Sequence, residues 1–136
     1  MKRLFLDTNI IIDLIVRKEY QNICTQLMIE GEKRKISFYI SFLTVANFAY
    51  IQRKMAINEL AEHIRLICET FNIIQNDKTQ LLQAISLKPT DYEDALQYAT
   101  AISAGCDCII TRNGKDFPFA TIPVYSPNEF LETLLT

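Results

Sequence analysis

The stretch KRLFLDTNIIIDLI, residues 2–15, decides how the rest of the chain is read. Its first half, RLFLD, is a short apolar run that ends on the carboxylate of Asp7, the pattern of a buried strand that delivers an acid at its carboxyl end. Its second half sets Ile11, Ile12 and Ile15 on one stripe at helical spacing. Thr8 or Asn9 can cap that helix, and Arg17-Lys18 suits its C-terminal end. Asp13 then falls on a solvated face of the helix. Asp7 is harder to place, because a carboxylate in apolar surroundings is costly unless something compensates it.

Reading outward, strand and helix patterns alternate. A helix is expected over about Tyr20–Lys33, with Ile23, Leu27 and Ile29 inward, and ISFYIS (36–41) is β-branched and aromatic, a second strand. Helices follow over about Leu43–Lys54 and Asn58–Thr70, and FNIIQ (71–75) reads as a third strand. Three capping boxes open later helices: Asp77-x-x-Gln80, Thr90-x-x-Glu93 and Ser126-Pro-x-Glu129. The helix after Thr90 carries Tyr92, Ala95, Leu96, Ala99 and Ile102 on one face, and Gly105 ends it. CDCIIT (106–111) is a fourth strand, RNGKDF (112–117) a loop, and IPVYS (122–126) a short fifth strand. The expectation is one α/β domain over residues 1–136, a sandwich around a mostly parallel sheet.

Bulk properties narrow the function. With 49% apolar and 22% charged residues in 136, the chain reads as compact rather than disordered. The net charge of −2 gives no global basic footprint for nucleic acid. Local basic groups, such as Lys33-Arg34-Lys35 and Arg53-Lys54, read as solvated helix ends. Cys24, Cys68, Cys106 and Cys108 fit no zinc motif and read as buried free thiols in a reducing cytoplasm. His63 is the single histidine, on a helix face flanked by charges, so a catalytic triad or multi-histidine zinc site lacks its parts. Lys2 and Arg3 precede an apolar run that Asp7 interrupts, which is no signal peptide, and no stretch has the roughly 18 apolar residues of a membrane span. A cytoplasmic protein with no membrane partner is expected.

The acids carry the chemistry. In an open parallel sheet, functional groups gather beyond the carboxyl ends of the strands. Asp7 ends the first strand, Asp116 lies in the loop after the fourth, and Asp94 sits in the first turn of the helix that leads into the fourth. Each has a structural explanation alone: Asp7 as a cap, Asp94 with Asp91 and Glu93 at a helix N-terminus, Asp116 within its turn. Together at one sheet edge they repel one another unless protons or a cation intervene. A hard divalent cation, Mg²⁺ or Mn²⁺, suits oxygen ligands of this kind, and the chemistry that follows is phosphodiester hydrolysis. Arg112 or Lys115 can stabilise the phosphate charge.

FLDTNIIIDL (5–14), DYEDALQYATA (91–101), and CIITRNGKDF (108–117) followed by IPVYSPNEFL (122–131) together resemble the PIN domain, most closely its VapC-like toxins and their small bacterial relatives. The resemblance implies a three-layer α/β/α sandwich with a central sheet of about five parallel strands. It implies a metal-dependent endoribonuclease that is the toxin of a toxin–antitoxin pair, with RNA as substrate, a small antitoxin as partner and a homodimer as assembly. Asp7, Asp94 and Asp116 match family acids as catalytic and metal-binding residues, Asp91 matches an extra acid, and Asn9, Thr111 and Asn113 match residues that orient them. One position departs: Asn47 stands where the family has a second acid, a glutamate. Asn47 can offer an amide oxygen but no charge, so a weak or inactive module that binds RNA or protein is the alternative. An aspartyl phosphatase is disfavoured because Asn9 stands where its acid/base carboxylate would be, and no glycine-rich turn for a dinucleotide follows the first strand.

Overall fold

The computed structural model describes residues 2–135. Strand β1 (Arg3–Leu6) passes directly into α1 (Thr8–Ile15), and α2 (Lys18–Lys33) returns the chain to β2 (Ser37–Ser41). Helices α3 (Phe42–Ile51) and α4 (Ile57–Thr70) precede β3 (Asn72–Ile74), and α5 (Lys78–Ser86) and α6 (Tyr92–Ser103) precede β4 (Cys108–Ile110). A 3-10 turn (Gly114–Asp116) leads to β5 (Val124–Tyr125) and α7 (Pro127–Thr133). The five strands form one sheet in the order β3-β2-β1-β4-β5, every pair parallel.

β1 is the middle strand, with Leu4 beside Phe38 on β2 and beside Cys108 on β4. Strand order reverses there, which opens a crevice at the carboxyl ends of β1 and β4. Alternation along the strands splits the core into two layers. Leu4, Leu6, Ile40, Cys108 and Ile110 face the larger layer, filled by residues such as Ile11, Leu27, Phe48, Ile67 and Phe130 from five helices. Phe5 and Ile109 face the smaller one, with Tyr98 and Ala101 of α6 and with Phe117. Sandwiching the sheet in this way buries both faces, and each large side chain so buried contributes on the order of 1.5–3 kcal/mol. Gly31 lets α2 lie close on β2, since a Cβ there would overlap the Phe38 ring. Gly105, at φ +68°, ends α6 in the left-handed conformation expected of it. Among the described residues no helix is long and apolar enough to cross a membrane.

Several local expectations are corrected. The third helix stops at Ile51 rather than Lys54, with Gln52 as its cap. The boxes at Asp77 and Ser126 form, but α6 is capped by Asp91 and not by Thr90. The Asp91 carboxylate accepts from the backbone N–H of Glu93 at 2.8 Å and of Asp94 at 3.2 Å, and its charge suits the positive end of the helix dipole. The cap of α1 is Asp7 itself, not Thr8 or Asn9. Cys68 is exposed while the other three cysteines are buried. His63 is half-buried, its ring 6.3 Å from that of Phe48. The largest correction is Asp13, which is fully buried rather than solvated.

Candidate functional site

Asp7 stands at the sheet's central seam. Its backbone N–H donates to the Ile110 carbonyl at 3.0 Å, which carries the β1–β4 ladder to the first residue beyond the strand. Its carboxylate turns into the crevice, where Oδ1 accepts from the Thr8 N–H at 2.8 Å. Oδ2 accepts from the Thr111 hydroxyl at 2.9 Å and from Asn9 Nδ2 at 3.4 Å. Asn9 Nδ2 also reaches Thr111 Oγ1 at 3.2 Å, and the Asn113 N–H donates to the same hydroxyl at 3.1 Å. Of the three residues expected to orient the acids, Asn9 and Thr111 touch Asp7, and Asn113 acts through its backbone on Thr111. The Asp7 side chain is 8% exposed, and burial raises its carboxyl above the usual range despite the hydrogen bonds that lower it.

Two further acids are coupled to Asp7 from other elements, Asp116 acting on it and Asp94 acted on by it. Asp116, exposed in the 3-10 turn after β4, raises the Asp7 carboxyl by its charge. Asp94, half-buried in the first turn of α6, is pushed up to about 7. Burial is the main cause, followed by the charges of Asp91, Asp7, Asp116 and Glu93. The three acids read from the sequence, after β1, on α6 and in the β4 loop, thus lie near enough for their charges to act on one another.

Their fit to a divalent cation rests on the chemistry of these donors. They are hard oxygens, and Asp7 Oδ1, which accepts a single hydrogen bond, retains capacity for another partner. Among the described residues no three His, Cys, Asp or Glu side chains are placed so that together they could hold a metal ion. A closed cage is not what Mg²⁺ requires, because it keeps several waters and takes one or two carboxylates directly. The repulsion that raises Asp94 is the kind a cation relieves. The group therefore fits a hydrated divalent ion.

Other expected residues are placed differently. Asn47, on α3, donates through Nδ2 to Glu93 Oε1 at 2.8 Å. Arg112 leans away toward α1: Nε and Nη2 hold the two oxygens of Asp13 at 2.5 and 3.2 Å, and its guanidinium lies 4.3 Å from the centre of the Tyr20 ring. This pair accounts for the burial of Asp13, and it commits Arg112 to the fold rather than to a phosphate. Lys115 is exposed in the turn directly before Asp116.

A buried polar knot beneath the site was not read from the sequence. Gln97, three residues after Asp94 on α6, is fully buried. Its Oε1 accepts from the Ser41 hydroxyl at 2.6 Å, and its Nε2 donates to Thr44 Oγ1 at 2.9 Å and Thr8 Oγ1 at 3.2 Å. Thr8 and Thr44 are bonded to each other at 3.0 Å. The knot ties α1, the β2–α3 junction and α6 together where Asp7, Asn47 and Asp94 project. A polar side chain among Ala95, Tyr98 and Ala99 is the signal that could have found it. Gln97→Leu leaves these buried hydroxyls short of a partner and is expected to cost about 1–3 kcal/mol. Urea unfolding checks it: the midpoint should fall with an unchanged slope.

Residues 3–115 match the sequence profile of the PIN domain. Over 140 aligned residues the chain is 26% identical to ribonuclease VapC1 of Aquifex aeolicus, covering 96% of this chain and 94% of that one. A toxin–antitoxin complex from Klebsiella pneumoniae superposes with a TM-score of 0.68 at 29% identity, over 91% of this chain and 97% of the other. VapBC-1 from nontypeable Haemophilus influenzae shares the fold, with a TM-score of 0.72 at 22% identity over 93% and 98% of the two chains.

Proposed function

The chain belongs to the PIN-domain family, and on that premise we propose that it is a divalent-metal-dependent endoribonuclease acting as the toxin of a toxin–antitoxin pair. The observation that carries this reading is the electrostatic coupling of Asp94 to Asp7 and Asp116, which follow β1 and β4. The ribonuclease and toxin–antitoxin relatives support it.

Asp7, Asp94 and Asp116 would hold Mg²⁺ or Mn²⁺, which supplies Lewis acidity toward a phosphoryl oxygen and acidifies a water near neutral pH. The protein's own groups set the stage for in-line attack. Thr8, Thr111 and Asn9 fix the Asp7 carboxylate, so little reorganisation is needed when RNA arrives. Asp91 caps α6 and holds its first turn, from which Asp94 projects. Lys115 brings a mobile positive charge toward the scissile phosphate. Incubation of structured RNAs with the protein and Mn²⁺ tests the reading. Cleavage that Asp94→Asn abolishes is expected; intact RNA with wild-type protein would overturn it.

A pH dependence follows from Asp94. Its folded pKa, about 7, lies above the ordinary carboxyl value, so the metal-free folded protein holds a proton that the unfolded chain gives up at lower pH. This contribution to stability is full below the ordinary value and is lost as pH rises through about 7. The cation needs the deprotonated form, so its affinity moves the opposite way. Calorimetry is expected to show Mn²⁺ binding about tenfold tighter at pH 8 than at pH 6, with proton release at the lower pH.

A second reading, binding without cleavage, is favoured by Asn47, whose amide nitrogen faces Glu93. It predicts RNA retention with no Mn²⁺-dependent thermal stabilisation. In either case Leu81, Leu82 and Ile85 of α5 and, separately, Tyr50 and Ile51 of α3 are exposed apolar residues suited to contact with a second copy or a small antitoxin.

A further inference from the structure

We propose that Glu93, held in place by Asn47, is a fourth oxygen ligand toward the cation that Asp7, Asp94 and Asp116 would hold, an assignment that rests on the metal-dependent reading above. Glu93 is in the first turn of α6, directly before Asp94, while Asn47 projects from α3. The 2.8 Å bond between them joins α3 to α6 at the residue directly before Asp94. Its polarity is fixed by chemistry: a carboxylate accepts, so Asn47 must present its amide nitrogen and keep its carbonyl oxygen turned elsewhere. Glu93 therefore offers the carboxylate here, and Asn47 is a positioning residue.

A glutamate at an exposed helix N-terminus needs no partner on another helix. Left alone, Glu93 would swing away from Asp91 and Asp7, whose like charges both act on it. Asn47 holds it against that repulsion. The donor is also neutral. A lysine or arginine at position 47 would pin Glu93 equally well but cancel its charge, whereas an amide fixes one oxygen and leaves the negative charge uncancelled. The second oxygen, and the spare lone pair of the first, remain for a cation or its bound water. The carboxylate missing from α3 is thus provided from α6, on the other side of one hydrogen bond.

Mn²⁺ titrations of the purified full chain, followed by calorimetry and by loss of the free-Mn²⁺ paramagnetic resonance signal, test the assignment without recourse to catalysis. Glu93→Gln should weaken Mn²⁺ binding by about 100-fold or more, and Asn47→Ala by about tenfold, the lower end of the range for outer partners. The double substitution Asn47→Glu with Glu93→Gln should recover most of the affinity. Melting temperatures in chelator should match the wild type for both single variants, which confirms intact folds. If Glu93→Gln binds Mn²⁺ as wild type does while Asp94→Asn loses binding, the assignment of Glu93 fails and the metal reading stands. If the wild type binds no Mn²⁺, the metal reading fails and takes the assignment with it.

Discussion

Asp7→Asn is expected to lower RNA cleavage by more than about 100-fold, beyond the loss typical of outer partners of a metal site, while leaving the metal-free protein as stable as the wild type or more so. The two halves have one cause. Asp7 is 8% exposed and its carboxyl is raised by burial, so the charged form is costly to fold around. Asparagine removes that charge at almost the same volume and is an equally good helix cap, so the bond from Thr8 N–H can persist. The Thr111 hydroxyl and Asn9 Nδ2 lose the oxygen to which they donate, and removal of the buried charge offsets that loss. Cleavage assays and chelator-treated melts, run side by side at pH 7.5, check it. A melting temperature well below wild type would show that Asp7 serves the fold rather than the chemistry. The expected combination, stability kept and activity lost, is the sign of a group retained for function at the expense of folding.

Asp13→Asn should do the reverse: it damages the fold whether or not a metal is bound. Asp13 is fully buried and receives both Nε and Nη2 of Arg112. The Arg112 side chain is 23% exposed, so it cannot recover full hydration once its counter-charge is gone. Breaking a buried pair by removing one partner costs about 3–5 kcal/mol, and the residual exposure of Arg112 points to the lower end. A melting temperature lower by on the order of 10 °C is expected, equally with chelator and with Mn²⁺. Replacing both partners with apolar residues, Asp13→Leu with Arg112→Met, should recover most of the loss, because no unpaired charge then remains. A single variant that melts with the wild type would mean that the pair is not formed in solution. Arg17, 4.0 Å from Asp13, is too exposed to compensate.

These two aspartates, six residues apart, show what the sequence discloses. Asp7 announces itself through local pattern: an apolar run of strand length stops on an acid and a helix begins. The alternation of strands and helices then gives the parallel sheet, and the sheet places Asp94 and Asp116 at the same edge. Asp13 carries no such signal, since its partner Arg112 lies 99 residues away and a lone charge on a short helix reads as solvated. Gln97 is hidden for the same reason, with its bonded hydroxyls 53 to 89 residues earlier. Asn47 was legible as an anomaly, but its bond to Glu93 depends on how α3 and α6 pack, which no local rule supplies. Capping chemistry was legible to within a residue: Thr90 and Asp91 both suit the start of α6, and the charged side chain took the position.

The central place of β1 bears on how this chain is made. β1 leaves the ribosome first, and β2 soon follows to cover one of its edges. The other edge waits for β4, about 100 residues later, which at ordinary elongation rates is roughly 5–20 s. For that interval Arg3–Leu6 is an apolar strand with an open edge, the kind of segment that pairs with the wrong neighbour. Asp7 stands at the end of it. A carboxylate without its β4 partners stays hydrated and charged, and so discourages extension of a stray pairing past Leu6. The residue assigned to the finished site would thus also limit mispairing of the unfinished chain until Ile110 and Thr111 arrive.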